Sequence, residues 1–255
     1  MIEWLDEGIV LATRPHGEDG AVVHLLTREH GKYAGLARGA QGRRNRATYQ
    51  PGTTVQARWR GRLAEHLGAY TCEPLHSPFA NLIEMPERLT ALAAAMAVAD
   101  WTLPEREVHT PIFDGSQALI EALHHDAWAE AYVQWEVQVL RELGFGLDVT
   151  RCAGGGSGRL IYVSPRSGRA VSEDAGAPYS AKLLPLPDFL AGRGGGGPAE
   201  VCDGLRLTGY FLERHLLAPA DLDLPPARDR LAAEMRRLAA RPRDDGRDGD
   251  SPLHG

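Results

Sequence analysis

The segment TVQARWR at residues 54–60 alternates apolar and polar side chains and decides the fold of the first third of the chain. Val55, Ala57 and Trp59 fall on one face, and two arginines and a glutamine fall on the other. A period of two is typical of a strand with one buried side. Four further β-rich segments, separated by turn residues, lie at 7–13, 21–27, 31–38 and 67–72. Five short strands in about 75 residues predict a small closed or partly open barrel of the OB type.

Beyond residue 80 the apolar period lengthens to nearly four, which is typical of helices. Pro86 suits the first residue of a helix, and a stripe from Trp128 to Leu143 predicts another helix that ends at Gly144. Thr110-Pro111 and the run at 117–123 predict another helix, as do the segments 208–217 and 227–240, and a β-hairpin is predicted at 159–172. Residues 241–255 are expected to form a disordered tail.

These patterns predict a multidomain α+β protein. An OB-fold β-barrel is expected at residues 1–80 and a mainly α-helical domain at residues 81–240. The hairpin, at about residues 150–176, is expected as an insertion in the helical domain.

The charge of the chain is segregated. The 255 residues carry 28 Lys and Arg against 34 Asp and Glu, a net charge of -6 at pH 7. Residues 1–80 hold 10 basic and 8 acidic residues, which leaves 18 and 26 for the remainder. Between residues 28 and 62, nine cations face the single Glu29. Four of these cations lie in the polar, glycine-containing segment 38–46, where a loop can wrap around a phosphate backbone. A solvated surface with partners in the acidic remainder explains the charge equally well.

The composition and the absence of catalytic motifs exclude several classes of protein. Hydrophobic content of 43% and charged content of 24% are ordinary for a globular protein. No apolar run approaches the roughly 18 to 20 residues that span a bilayer, and the acidic start lacks the order of a signal peptide, so we expect a cytoplasmic protein without membrane contact. Three cysteines, at 72, 152 and 202, fit a reducing compartment. Phosphate-binding glycine loops, nucleophile elbows and zinc-protease helices are absent from the sequence, so we expect no catalytic residues.

Two segments have residues that bind metals elsewhere, but neither has a full set of ligands. His124, His125 and Asp126 are adjacent on a helix, where neighbouring side chains point about 100° apart and cannot converge on one ion. Cys152 precedes the hairpin, yet Gly155 stands three residues later and no Cys-x-x-Cys follows. A structural zinc site needs four ligands. The sequence therefore predicts no metal and no cofactor.

Eight short segments along the chain form a further pattern. They are WLDEGIVL at 4–11, GED at 17–19, LTREHGK at 26–32, LARGA at 36–40, QPG at 50–52, ELGF at 142–145, LD at 147–148, and Cys152. Together they resemble the RecO family of bacterial recombination mediators and DNA-repair proteins, over nearly the whole chain to about residue 240. Members of that family carry an OB-fold followed by a helical domain. Many hold zinc with two Cys-x-x-Cys pairs around a hairpin; here Gly155, Ser172 and Ala175 stand where three of those cysteines are expected. The resemblance thus implies a zinc-ribbon-like hairpin that lacks its metal ligands.

The resemblance implies a non-enzymatic protein that binds single- and double-stranded DNA and anneals complementary strands, close to the nucleoid. It also implies cooperation with RecR, contact with the acidic C-terminal tail of single-stranded-DNA-binding protein, and help in loading RecA onto covered strands. The expected DNA-binding residues are Lys32, Arg38, Arg43, Arg44, Arg46, Arg58, Arg60 and Arg62. Arg141 or Arg151 is expected to meet the partner tail beside an apolar pocket. Only Tyr33, Tyr49 and Trp59 could stack on bases nearby, so we expect mainly electrostatic binding.

Two other interpretations remain open. One is an OB-fold accessory domain of a nucleic-acid-processing enzyme, such as a nuclease or nucleotidyltransferase. That enzyme would need a lysine nucleophile or clustered carboxylates, and the chain has only Lys32 and Lys182 as lysines. The other is an adaptor whose basic loop binds an acidic protein. Annealing of complementary DNA strands, measured without ATP or metal, distinguishes the recombination mediator from these two interpretations.

Overall fold

The first part of the molecule is a β-barrel. The computed structural model describes residues 1–155 and 158–241. The barrel strands are β1 (Ile2–His16), β2 (Gly20–Thr27), β3 (Gly31–Ala37), β4 (Thr54–Gly61) and β5 (Gly68–His76). They close in the order β1-β2-β3-β5-β4. β3 and β5 pair in parallel, and the other neighbouring strands are antiparallel.

The barrel interior follows from the alternating pattern of β4. Val55, Ala57 and Trp59 are fully buried, as their period of two predicts. Trp4 of β1 stacks on Trp59 with ring centroids 5.7 Å apart. A Cβ atom on Gly68 would lie only 2.3 Å from the Trp59 indole, so glycine is needed where β5 passes this ring.

Helices form most of the remaining chain. They are α1 (Phe79–Leu82), α2 (Pro86–Thr102), α3 (Thr110–Ala122), α4 (Trp128–Glu142), α5 (Glu173–Gly176), α6 (Pro198–Leu212) and α7 (Pro226–Ala239). Proline stands at the first or second position of α2, α3, α6 and α7, where its missing N–H costs no intrahelical hydrogen bond. A π-helical turn, Glu213–Leu217, continues α6.

The predicted hairpin belongs to a small three-stranded sheet. Its strands are β6 (Leu160–Val163), β7 (Ala170–Ser172) and β8 (Leu184–Pro185), in the order β7-β6-β8. The hairpin was predicted, but the two-residue strand β8 was not, because so short a strand shows no period in the sequence.

One hydrophobic cluster is shared by the barrel and the helices, and a second fills the barrel interior. Ile9, Leu11 and Leu26 of the barrel lie in the same buried cluster as Leu92 of α2 and Phe113 of α3. Burial of apolar surface on both sides stabilises this arrangement. The barrel is therefore docked on the helices through packed side chains rather than through a linker alone.

A buried carboxylate reinforces this interface. Asp100 of α2 has Oδ1 2.5 Å from His24 Nδ1 and Oδ2 3.2 Å from Arg14 Nη2. Lys32 Nζ donates to the Asp100 carbonyl oxygen at 2.8 Å. Close approach also demands Gly31, which has φ +70° and where a Cβ would lie 1.9 Å from the Glu107 carbonyl oxygen.

The α+β architecture agrees with the prediction from the sequence. All five barrel strands occur where they were predicted, although β1 extends to Ile2 and β5 to His76. The prediction of a helix at 208–217 was wrong about its start, since α6 begins at Pro198. The predicted disordered tail lies, from residue 242 onward, outside the described residues.

Candidate nucleic-acid interface

The segment between β3 and β4, residues 38–53 and here called the cationic loop, is folded onto the barrel. Ala40 and Tyr49 are buried and anchor its two ends. Gln41 donates hydrogen bonds to the Asp19 carbonyl oxygen through its backbone N–H, at 3.2 Å, and to the Gly20 carbonyl oxygen through Nε2, at 2.7 Å. The loop therefore holds its side chains in defined places.

Four predicted DNA-binding residues project from the cationic loop. Arg38, Arg43, Arg44 and Arg46 are all exposed to solvent. Among the described residues, none of these four guanidinium groups forms an ion pair. Because no carboxylate of the described chain neutralises them, all four are placed to pair with an external anion.

The arginines of β4 are in a different position. Arg58 and Arg60 both lie on the outer face of the barrel, as alternation predicted, but both bind Glu3 of β1. The distances are 3.2 Å from Arg58 Nη1 and 2.9 Å from Arg60 Nε to the Glu3 carboxylate. The Arg60 hydrogen bond is the main reason that the pKa of Glu3 lies below its ordinary value. The positive charge of this face is therefore partly cancelled, whereas Arg62, beyond the strand, is exposed.

Strand register brings the two groups of arginines onto neighbouring parts of the surface. Ala37, the last residue of β3, pairs with Tyr70 of β5, and Tyr70 pairs with Trp59 of β4. Arg38 and Arg58 each adjoin one end of this row, so their backbones lie about 10 Å apart, two strand spacings. One continuous strand of DNA could contact both groups.

Lys32 does not lie with the arginines. Its Nζ donates to the Asp100 carbonyl oxygen in the interface between barrel and helices. Burial lowers the pKa of Lys32, and the nearby carboxylates of Asp100 and Glu105 oppose that effect only in part. Lys32 therefore contributes to the interface between barrel and helices, which sets it apart from the exposed arginines.

The aromatic residues near the cationic loop are not accessible for stacking on bases. Tyr33 and Tyr49 are each 7% exposed, and Trp59 is fully buried. The Tyr33 hydroxyl donates to the Ala64 carbonyl oxygen at 2.6 Å. Their burial agrees with the expectation that any DNA binding here is mainly electrostatic.

The two arginines predicted to meet a partner tail lie on the helical side. Arg141, near the end of α4, has its Nε 3.5 Å from the Glu142 carboxylate. Arg151 is exposed and contributes to lowering the pKa of Asp148, after the larger effect of the Thr150 hydrogen bonds. A groove of about 650 Å³ between α6, α7 and the segment before β8 is lined by neither arginine. Its lining includes Leu183, Leu184, Lys182, Arg206 and Arg236.

A buried ion pair in the helical domain was missed from the sequence. Glu136 of α4 and Arg228 of α7 are 0% and 3% exposed, and two Arg228 nitrogens each lie 3.1 Å from a Glu136 oxygen. Tyr132 and Thr208 also donate to this carboxylate. Burial alone would lower the pKa of Arg228, but the Glu136 carboxylate outweighs burial and raises it. The pair joins α4, α6 and α7, which makes it a structural feature.

The hairpin region does not fit a zinc ion. Cys152 Sγ donates to the Ser172 hydroxyl at 3.4 Å and accepts from the Ser172 backbone N–H at 3.3 Å. The Ser172 hydroxyl accepts from the Ala175 backbone N–H. Gly155 and Ala175 offer no side-chain ligand, so one thiol and one hydroxyl stand where four ligands are needed.

The described part of the chain contains neither a cluster of metal ligands nor a helix that could span a membrane. Within residues 1–155 and 158–241, no group of three or more His, Cys, Asp or Glu side chains is arranged to hold a metal ion. The helices in those same ranges include none with the length and apolar character needed to cross a bilayer.

A closed barrel with a cationic loop packs against helices through a shared hydrophobic cluster. These features define the class as a two-part α+β protein with a basic barrel surface. Residues 1–78 match the family model "Recombination protein O N terminal", and residues 84–221 match "Recombination protein O C terminal". The chain belongs to the RecO family of DNA repair and recombination proteins.

Named relatives resemble the chain over nearly its full length. It is 50% identical to the DNA repair protein RecO of Rhodospirillum rubrum over 254 residues, which cover 94% of this chain and 99% of the relative. It is also 50% identical to the RecO of Rhodospirillum centenum, over 92% of this chain and 96% of the relative. The RecO of a Caulobacter species is 48% identical, over 89% and 95%.

Proposed function

We propose that this protein is a non-enzymatic recombination mediator that binds single- and double-stranded DNA and anneals complementary strands. The observation that carries the proposal is the cationic loop, whose arginines 38, 43, 44 and 46 project into solvent without a carboxylate partner in the described chain. Arg58, Arg60 and Arg62 extend this surface along the barrel. Membership of a DNA-repair family makes DNA the anion that this surface is expected to meet.

The annealing mechanism is electrostatic. Two complementary strands repel each other through their phosphates, and arginine side chains that neutralise phosphates lower this repulsion while base pairs form. Because Tyr33, Tyr49 and Trp59, the aromatic residues near the cationic loop, are buried, they do not compete with the partner strand for the bases. We further propose that residues 1–80 supply this OB-type surface and residues 81–240 supply the surface for protein partners, the hairpin being a zinc-ribbon relic.

Annealing is the decisive test. Two complementary oligonucleotides, one carrying a fluorophore and the other a quencher, are mixed with the protein in the presence of EDTA and without nucleotide. Acceleration under these conditions supports the proposal. A requirement for metal or cleavage of the strands would identify an enzyme accessory domain, and absence of any DNA binding would favour an adaptor for acidic proteins.

The expected protein partners are RecR and the acidic C-terminal tail of single-stranded-DNA-binding protein, with RecA loading as the outcome. The helical part of the chain is acidic, so an acidic tail can bind only where a local cation offsets the repulsion. Such a tail would bury its last apolar side chain while its carboxylates meet an arginine. Arg141 and Arg151 remain the proposed cations, and Arg206 and Arg236 in the 650 Å³ groove offer the same combination beside apolar walls.

Titration of a labelled tail peptide identifies the docking place. Loss of the responsible arginine should weaken the complex by about 1.5–3 kcal/mol, the usual contribution of a hydrogen bond to a charged group. The variants are Arg141→Ala, Arg151→Ala and the double change of Arg206 and Arg236 to Ala. If none of them changes the dissociation constant but loss of the loop arginines abolishes binding, the tail docks on the barrel and the proposal of a helical docking place is wrong.

A further inference from the structure

A groove opens directly under the cationic loop. It has a volume of about 440 Å³ and lies between the loop and the hairpin formed by β1 and β2. Its lining includes Pro15, Ala40, Gln41, Arg46, Gln50 and Pro51. This volume is within the range of small-molecule pockets, roughly 300–1,000 Å³.

The lining combines apolar walls with glutamine carboxamides that have hydrogen-bonding atoms still available for a ligand. Pro15, Pro51 and Ala40 supply apolar surface. The Gln50 carboxamide makes no hydrogen bond to any described residue, and the Gln41 carboxamide uses only its Nε2, towards the Gly20 carbonyl oxygen. A glutamine side chain both donates and accepts. The groove thus offers apolar surface together with a hydrogen-bond donor and an acceptor. A nucleobase has the complementary features, a flat apolar face and an edge with donors and acceptors.

Charge at the rim indicates what the base is attached to. Arg46 lines the groove, and Arg43 and Arg44 follow the same exposed turn of the loop. Three neighbouring cations match the repeating phosphates of a nucleic-acid strand better than a single small anion. The acidic turn at Glu18 and Asp19 adjoins Gln41, so the phosphates are expected on the arginine side.

We propose that the groove binds one unstacked base of single-stranded DNA, whose adjacent phosphates are held by Arg43, Arg44 and Arg46. This inference rests on the proposed DNA-binding function and adds a base-binding site to it. In a duplex every base is stacked and paired, so a base from a duplex must first be unstacked and unpaired at a cost in free energy. A base of a single strand or an unpaired end avoids most of this cost. The groove therefore gives the otherwise electrostatic loop a preference for unpaired DNA.

Two single-stranded oligonucleotides, one with bases and one without, test the proposal. Fluorescence anisotropy compares an oligothymidylate with an abasic strand of the same length and phosphate number, over a range of salt concentrations. The wild-type protein should bind the strand with bases several-fold more tightly, with equal salt slopes. Gln50→Ala should weaken binding of the strand with bases roughly fivefold, the effect of one lost neutral hydrogen bond, and should leave the abasic strand unaffected.

A matched control and a second measurement separate the outcomes. Gln134→Ala removes an exposed glutamine from α4, outside the groove, and should change neither strand's affinity. In strands that contain the fluorescent base 2-aminopurine, the emission should rise on binding to the wild type as the base leaves its stack, and this rise should be smaller for Gln50→Ala. Equal affinity of the wild type for both strands, or equal weakening of both by Gln50→Ala, would overturn the base-binding site alone. If neither strand binds, the proposed function itself fails.

Discussion

Removal of three loop arginines should change the salt dependence of DNA binding by a calculable amount. Arg43, Arg44 and Arg46 are exposed and form no ion pair among the described residues, so each can displace a counterion from one phosphate. Each phosphate contact contributes about 0.7 to the salt slope on single strands and about 0.9 on B-DNA. The triple change to Ala should therefore lower the slope by about 2 on single strands and by almost 3 on duplex.

This change in slope has a large effect on affinity at low salt. Raising the salt concentration from about 50 to 200 mM weakens DNA binding by both proteins. Because the slope of the variant is lower by about 2, the fold-loss of affinity of the variant should be roughly 20 times smaller than that of the wild type. Anisotropy titrations at several salt concentrations measure this directly, and circular dichroism checks that the variant is folded. The result that refutes the reasoning is an unchanged slope in a folded variant.

Two comparison variants separate position from net charge. Arg230, Arg236 and Arg237 of α7 are exposed, so their joint change to Ala removes the same three charges from the helical domain. That control should leave the slope nearly unchanged. Glu3→Gln should steepen the slope, because it releases Arg58 and Arg60 from their shared carboxylate. Equal effects of both triple variants would show that net charge, and not the loop, governs binding.

Three further predictions concern the helical domain, the interface and the hairpin. Arg228→Ala should lower the free energy of unfolding by about 3–5 kcal/mol, because Glu136 stays buried without its cation. Changing both residues to Leu should cost less. Additive losses measured by urea unfolding would contradict this. Asp100→Asn should lower the free energy of unfolding by about 1.5–3 kcal/mol, since the barrel cations lose their countercharge. It should also raise hydrogen exchange in β2 and α2. Unchanged exchange would contradict a stabilising role of Asp100 at the interface. EDTA should leave the Tm unchanged, because residues 1–155 and 158–241 contain no group of three or more His, Cys, Asp or Glu side chains that could hold a metal ion. Stoichiometric bound zinc would contradict that.

The sequence predicted the five barrel strands because alternating side chains mark one buried and one solvent-facing side. In β4 the alternation of residues 54–60 translates directly into buried Val55 and Trp59 and exposed Arg58. The same logic could not find the partner of Arg58. Glu3 lies opposite Arg60 only through the register of β1 and β4, and a register is a property of the pairing and not of either strand alone.

One difference in the helical domain comes from a local signal, and two other features depend on tertiary packing. The start of α6 was placed ten residues late, although Pro198 after a glycine run is a readable helix-start signal. The charge of Lys32 is visible in the sequence, but its hydrogen bond to the Asp100 carbonyl oxygen of α2 is not. The buried Glu136–Arg228 pair escaped for the same reason, since 92 residues separate its members along the chain.

An annealing protein must hold a strand without hiding the bases that have to pair. Aromatic platforms grip a strand by covering base faces, and every covered base must be released before pairing. In this barrel the aromatic side chains nearest the cationic loop, Tyr33, Tyr49 and Trp59, are buried, and the partly buried Trp4 stacks on Trp59. The exposed groups are guanidiniums, which contact phosphates and leave the base edges accessible. With one base in the groove beneath the loop, the strand would be fixed in place while its neighbouring bases stay open to the complementary strand.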